Sequence, residues 1–237
     1  MYAFSSTVRF SECGPNRLLT IPALINYLQD CSTFHTESIG RGIDYCNGKG
    51  FAWFIAAWQI EILRLPRFTE DIRVSTWCYV DHPTLANRNF LMETAQGEPL
   101  VQADSLWFPF SHEQRRPIRI PASELDYLSD ERRLNMPPTQ RKLKLTGMGE
   151  PKETIAVTMH HLDTNRHVNN GQYIAMADTI VRAQEEAFEL RRLCVQYKKA
   201  AQLGDTIVPS LYAEDNGYAV DLADERGTSF AIVRMER

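Results

Sequence analysis

At 237 residues and 43% hydrophobic content, the chain is long and apolar enough to bury one large core or two of ordinary size, which excludes disorder as its default state. A formal net charge of −4 gives no overall attraction to nucleic acid or to an anionic membrane. The longest apolar run, Phe51 to Trp58, is too short to span a bilayer and reads as a buried strand.

The segment from Met1 to Phe10 alternates like a strand and lacks the basic and apolar regions of a secretory signal, so a cytoplasmic protein is expected. Five cysteines, Cys13, Cys31, Cys46, Cys78 and Cys194, are odd in number and widely spaced, with no C-x-x-C pair. That pattern fits reduced, mostly packing thiols rather than a disulfide framework or a zinc ribbon.

An internal repeat organises the chain. Val8 to Leu19 laid over Val157 to Val168 matches the Asn16-Arg17 pair with Asn165-Arg166, and each segment reads as a short strand, a polar turn and then a helix. The first helix is expected over 21–39, with Leu24, Tyr27, Leu28, Cys31 and Phe34 as its apolar stripe, Pro22 in a tolerant first turn, and Gly40 and Gly42 ending it. Strands are then expected over 51–63, 72–80, 88–94 and 100–110. From 111 to 150 periodicity gives way to Pro, Arg and polar residues, a linker with some helix around 123–134. The second helix is expected over 169–188, with Tyr173, Ala177, Ile180, Val181 and Phe188 facing inward and Asn169 or Asn170 as its cap. Strands follow over 193–199, 206–213, 218–222 and 228–235, separated by turn signals such as Asp215-Asn216-Gly217. Each half is thus an α+β unit in which an antiparallel sheet wraps one long helix, with the first domain over 1–115, a linker over 116–150 and the second domain over 151–237. One such repeat leaves a sheet face poorly covered, so a pseudo-dimer within the chain is expected.

Functional residue types are densest in His160 to Gly171. Asp163, Asn165 and His167 alternate just before a helix begins, where unpaired N–H groups and the positive dipole end suit a developing oxyanion. Asn169 and Asn170 stand at that helix entrance. A carboxylate, an amide and an imidazole gathered there point to acyl hydrolysis, with a simple helix-capping turn or a metal site through His160, His161, Asp163 and His167 as the alternatives. A metal is not expected, because no further ligand pair follows; nor is any cofactor. His35, His82 and His112 stand alone and read as structural or surface residues.

The string His161-Leu-Asp-Thr-Asn-Arg-His-Val-Asn-Asn-Gly-Gln-Tyr173 resembles the D-x-N-x-H-V-N-N-x-x-Y motif of plant and bacterial acyl-acyl carrier protein thioesterases, and the fused repeat and Tyr197-Lys198-Lys199 agree with that family. The resemblance implies two fused hot-dog domains, release of a free fatty acid from its acyl carrier protein in fatty acid synthesis, and catalytic roles for Asp163, Asn165 and His167. It also marks a departure: where the family carries a Glu, followed in plant members by a Cys, this chain has Ala200 and Ala201. Gln196, expected on the same strand, is the candidate replacement for the missing acid. The first half carries Gly14 and Leu18 where the second has Asp163 and His167, so one active site per chain is implied. The first half is then expected to house the acyl chain, with Phe34, Trp53, Phe54 and Trp58 as lining candidates.

An acidic carrier protein calls for basic docking residues. Two sets qualify: Arg132, Arg133, Arg141, Lys142 and Lys144 in the linker, and Arg191, Arg192, Lys198 and Lys199 around the strand after the second helix, with the second set favoured and Arg191 and Arg192 foremost. Two other readings stay open, a non-catalytic acyl- or carrier-binding module and a hydratase of carrier-bound enoyl chains, as does association into a homodimer.

Overall fold

The computed structural model describes residues 1–125 and 128–237, with the side chain of Asp81 also outside the description. It divides into two compact units, residues 1–139 and 140–237.

In the first unit an edge strand, β1 (Tyr2–Thr7), leads through a tight 3-10 turn to Thr20, whose Oγ1 accepts the N–H of Ala23 at 3.4 Å. That cap, with Pro22 in the first turn, starts helix α1 (Ile21–Ser38). Leu24, Ile25, Leu28 and Cys31 are fully buried, and each such aliphatic side chain contributes roughly 1.5–3 kcal/mol of transfer free energy. The buried line then runs to His35 rather than Phe34. Phe34 is 45% exposed and meets the edge of Phe4, because the step from Cys31 that stays on the inner face is four residues. A short helix, α2 (Ile43–Gly48), stands where periodicity predicts none, and antiparallel strands β2 (Phe51–Ile62), β3 (Asp71–His82), β4 (Leu85–Thr94) and β5 (Pro99–Ser111) follow, with β6 (Arg116–Pro117) paired to β5. The strand order is β1-β3-β4-β5-β2.

Register decides which side chains share a face. A bulge between Ile55 and Ala57 shifts the β2–β5 pairing, so Trp53 opposite Pro109 and Trp58 opposite Ser105 fall on the same face despite lying five residues apart, while Phe54 opposite Phe108 falls on the other. Arg88, also opposite Ser105, lies on the Trp58 face, and its Nη1 sits 2.9 Å from His35 Nδ1. The opposite face carries Asp104, which is 2% exposed and accepts from Tyr79 Oη (3.0 Å), Asn89 Nδ2 (3.0 Å) and Thr139 Oγ1 (2.5 Å). Gln59 Nε2 donates to the Pro137 carbonyl at 2.8 Å, and the N–H of Leu134 donates to Asn89 Oδ1 at 3.2 Å. Much of the expected linker is therefore a strap on the first unit. It holds one 3-10 turn, Ala122–Leu125, and beyond the undescribed Asp126 and Tyr127 it runs without helix, because its backbone groups bond to the sheet instead.

The second unit repeats the plan. Two short edge strands, β7 (Glu150–Pro151) and β8 (Ile155–Ala156), both pair with β10, a 3-10 turn follows, and helix α3 (Asn170–Gln184) precedes β9 (Arg192–Tyr197), β10 (Thr206–Glu214), β11 (Gly217–Ala223) and β12 (Ser229–Glu236). The order β9-β12-β11-β10-β7 is the first unit's order read from the other end, and α3 packs on β11 and β12. Asn169 is the cap, its Oδ1 accepting from the N–H of Gly171 at 2.8 Å. The helix stops at Gln184, short of the expected 188. Phe188 is buried beyond it by stacking edge-on against Tyr218, a tertiary contact that satisfies the same apolar need without a further helical turn. Both units are hot-dog folds, each a curved antiparallel sheet around a central helix.

Burial and the adjacent Arg88 guanidinium push the His35 imidazole down to about 4, so it is neutral in the folded protein. Because the unfolded chain protonates it near 6.5, its contribution is complete above that pH and is lost as pH falls toward 4. Urea titrations from pH 7 to 4 are expected to show a stability loss on the order of 1–3 kcal/mol that shrinks in His35→Gln. An unchanged slope in that variant would assign the loss to other groups.

Candidate active site

The site is the loop between the 3-10 turn at Met159–His161 and helix α3. An antiparallel bridge between Leu162 and Val168 closes the loop, the N–H of Asp163 donates to the His167 carbonyl at 2.8 Å, and the N–H of Arg166 donates to the Asp163 carbonyl at 3.0 Å. Arg166 takes the left-handed conformation, φ 60°, that the reversal requires. His161 Nδ1 accepts from the N–H of Thr158 at 3.0 Å, which makes His161 a structural cap, while His160 is exposed. Among the described residues, no cluster of three or more His, Cys, Asp or Glu is placed to hold a metal ion.

Asp163, Asn165 and His167 do share this loop. The carboxylate of Asp163 is turned toward its own backbone, accepting from the N–H of Asn165 at 2.8 Å and of His167 at 3.3 Å, and it does not reach the imidazole. Asn165 is exposed, and its side chain has no hydrogen-bond partner among the described residues. The imidazole of His167 is half-buried and meets a residue that sequence reasoning missed: Gln202 Nε2 lies 3.5 Å from His167 Nε2, and the two residues form an antiparallel bridge. No sequence signal pairs them, because the bridge joins segments separated by the whole of α3 and β9. Gln196, the candidate replacement for the missing acid, accepts the N–H of Leu143 on its Oε1 at 3.0 Å.

Beneath the loop, Val168 N–H donates to the Ala201 carbonyl, and Ala201 N–H donates to Tyr173 Oη at 2.8 Å. Burial pushes the Tyr173 phenol up to about 12, with the nearby Asp205 and Asp163 carboxylates adding to the effect, so it stays protonated and acts as a neutral strut. Tyr197 Oη donates to the Asn170 carbonyl at 3.0 Å. Asn169 spends its side chain as the cap, and Asn170 is the first helical residue. Burial pushes the Cys31 thiol up to about 12 and, with the Glu124 and Glu37 carboxylates, the Cys46 thiol up to about 11, which disfavours both thiolates.

The four acyl-pocket candidates do not gather. Phe34 is exposed and Phe54 lies on the opposite sheet face from Trp53 and Trp58. Those two share a face, and both indole N–H groups are buried without an acceptor among the described residues. The basic residues separate as well. Arg191 pairs with Glu189 and Arg192 with Glu236 at one end of β9, while Lys198 and Lys199 lie at the other end, next to Ala200 to Gln202. A strand of this length spans roughly 20 Å, so Arg191 and Arg192 are the pair remote from the loop, contrary to the sequence expectation. In the linker set, Arg133 stacks over Tyr79 in the first unit, whereas Arg141, Lys142 and Lys144 belong to the second.

Comparison with known proteins bears on this arrangement. Residues 1–127 match the family described as acyl-ACP thioesterase N-terminal domain, and residues 149–232 match acyl-ACP thioesterase C-terminal domain. A chloroplastic acyl-[acyl-carrier-protein] hydrolase of Cuphea viscosissima is 26% identical, covering 98% of this chain and 61% of that protein. A chloroplastic oleoyl-acyl carrier protein thioesterase of Arabidopsis thaliana is 27% identical over 86% of this chain and 60% of its own length. The chain thus spans about 60% of the length of these relatives. In fold it is similar to an acyl-ACP thioesterase from Bacteroides thetaiotaomicron (TM-score 0.89, 23% identity, 99% of this chain and 96% of that one) and to a 12:0-ACP thioesterase from Umbellularia californica (TM-score 0.84, 20% identity, 99% and 96%).

The loop geometry separates two roles of Asp163. Asp163→Asn keeps an acceptor for the two backbone N–H groups and is expected to unfold within about 0.5 kcal/mol of the parent, whereas Asp163→Ala loses both bonds and costs about 1 kcal/mol in chemical denaturation. Equal losses in the two variants would mean that the charge, and not the acceptor, holds the loop.

Proposed function

Because the chain belongs to the acyl-ACP thioesterase family, we propose that it hydrolyses the thioester of acyl–acyl carrier protein, releasing a free fatty acid and the carrier's thiol. The observation that carries this reading is the single imidazole, His167, held half-open at the entrance of α3 on a loop whose counterpart in the first half has lost every such group but Asn16.

In the proposed reaction His167 takes a proton from water as it attacks the thioester carbonyl. The carbon–sulfur bond breaks as the resulting tetrahedral oxyanion collapses, and the proton passes to the departing sulfur. The negative charge of Asp163, on the same loop, favours the transient imidazolium. Two backbone N–H bonds to its carboxylate make it a poor nucleophile, which supports the water route over a covalent acyl-aspartyl intermediate. Asn165 is free to bind substrate, and the N-terminus of α3 supplies the positive dipole end. The acyl chain is assigned to the first domain, on the face that carries Trp53 and Trp58. Lys198 and Lys199 are the carrier-docking residues closest to the loop. A reducing compartment, the cytoplasm, suits five cysteines that form no disulfide among the described residues.

A second reading has an observation of its own. Ala200 and Ala201 stand where the family carries its acid and, in plants, a Cys, and a non-catalytic carrier-binding module would tolerate that loss. Thiol release from an acyl–acyl carrier protein decides between them. His167→Ala and Asp163→Asn are each expected to lower turnover by about 10²–10⁴-fold with the fold intact, as loss of a positioned acid–base group does. Binding without turnover in the parent would establish the module instead. Reversing both lysines, Lys198→Glu with Lys199→Glu, is expected to raise KM for the carrier substrate at low salt while leaving hydrolysis of a small acyl thioester nearly unchanged. The same change at Arg191 and Arg192 is expected to do much less.

A further inference from the structure

The geometry points to Gln202 as the positioning residue for His167, its side-chain amide fixing the tautomer and orientation of the imidazole. This inference rests on the hydrolase reading above and names what orients the imidazole of that site.

Three observations support it. The His167–Gln202 bridge places the two residues directly opposite, where cross-strand side chains are neighbours by construction, and the amide lies 3.5 Å from the ring nitrogen. Catalytic hydrogen bonds of this length in an empty site commonly tighten when substrate binds. The backbone of Gln202 is also fixed: its N–H donates to Asp205 Oδ2 at 2.9 Å, and its carbonyl accepts from the N–H of Asp205 at 3.1 Å. An amide mounted on such a turn has little freedom to leave.

The first half supplies an internal control. There the equivalent bridge joins Leu18 to Arg67, the N–H of Arg67 donates to Glu70 Oε2 at 2.8 Å, and the N–H of Glu70 returns to the Arg67 carbonyl at 3.0 Å. The bridge and the turn are therefore scaffold, needed with or without chemistry. Only in the second half does the scaffold carry an imidazole facing an amide, so the side chain of Gln202 is not explained by the turn.

The chemistry fits the pair. A side-chain amide offers a donor and an acceptor that exchange by rotation of the terminal group, so it can donate to an unprotonated ring nitrogen and accept from a protonated one. It can hold the ring through the proton-transfer cycle without itself gaining or losing a proton. A carboxylate could only accept.

Nitrogen-15 NMR of the imidazoles in the full chain tests this without reference to turnover. One His167 tautomer is expected in the parent, a mixture of both in Gln202→Ala, and a proton confined to Nε2 in Gln202→Glu. In steady-state assays Gln202→Ala is expected to lower kcat about tenfold, the low end of what an orienting partner contributes, with KM within about twofold. Gln202→Glu, close in size, is expected to recover part of that loss and carries the test if the alanine variant does not fold. An unchanged tautomer ratio in both variants overturns the inference and leaves the hydrolase reading standing. A tautomer shift in a parent chain that releases no thiol supports the positioning role and overturns that reading instead.

Discussion

Both halves of the molecule depend on one constraint: the chain must pass from an edge strand into a central helix without abandoning backbone N–H and C=O groups away from water. The solution is the same each time. Val8 exchanges bonds with Glu70 and Thr69, and Val157 does so with Asp205 and Gly204; Leu19 donates to Pro66, and Val168 to Ala201. Bridges close the two loops at Cys13–Leu19 and Leu162–Val168, and an arginine, Arg17 or Arg166, turns the corner at φ 61° or 60°. A non-glycine residue in that region costs of order 1–3 kcal/mol, and two copies of the same expense identify a device that the fold requires.

Once the clasp is fixed, function follows from which side chains are mounted on it. In the first half the mounted residues are Gly14, Asn16 and Leu18, opposite Arg67, and the second strand's bulge brings Trp53 and Trp58 onto the face that bears α1. In the second half they are Asp163, Asn165 and His167, opposite Gln202. The same backbone thus carries plain scaffold residues in one unit and, on the proposed reading, the reaction site in the other. Exposed apolar residues recur at matching positions too, Phe10 with Phe68 and Met159 with Leu203, at the rims of the two loops.

Much of this was legible in the sequence because the signals were local. The Asn-Arg repeat, the period of the Leu24 to Cys31 stripe and the turn signals between strands locate both sheets and both helices to within a few residues. The errors came from contacts between distant segments. Phe34 fits a three-residue step from Cys31, but the neighbours of the helix select His35 through Arg88. Phe54 looks equivalent to Trp53 and Trp58 until a one-residue bulge resets the alternation. Arg191 and Arg192 are close to the site along the chain and far from it along a strand. Gln202 carries no motif, and only a bridge between distant segments sets it against His167.

The clasp also bears on whether Asp163 is chemical or structural. Its carboxylate accepts two backbone N–H groups, which by itself describes an ordinary turn. The first half, however, forms the same turn with Gly14 in that place: Gly14 N–H donates to the Leu18 carbonyl, Arg17 N–H donates to the Gly14 carbonyl, and Asn16 Oδ1 takes the N–H of Leu18. No acid is needed there for the loop to close. The turn therefore does not demand an acid at position 163, although the two bonds to its carboxylate add stability to the loop. What the second half has in addition to the first is an imidazole at His167, and in the proposed reaction a negative charge on the same short loop is useful to a group that becomes cationic. The two backbone bonds then read as the means of aiming that charge.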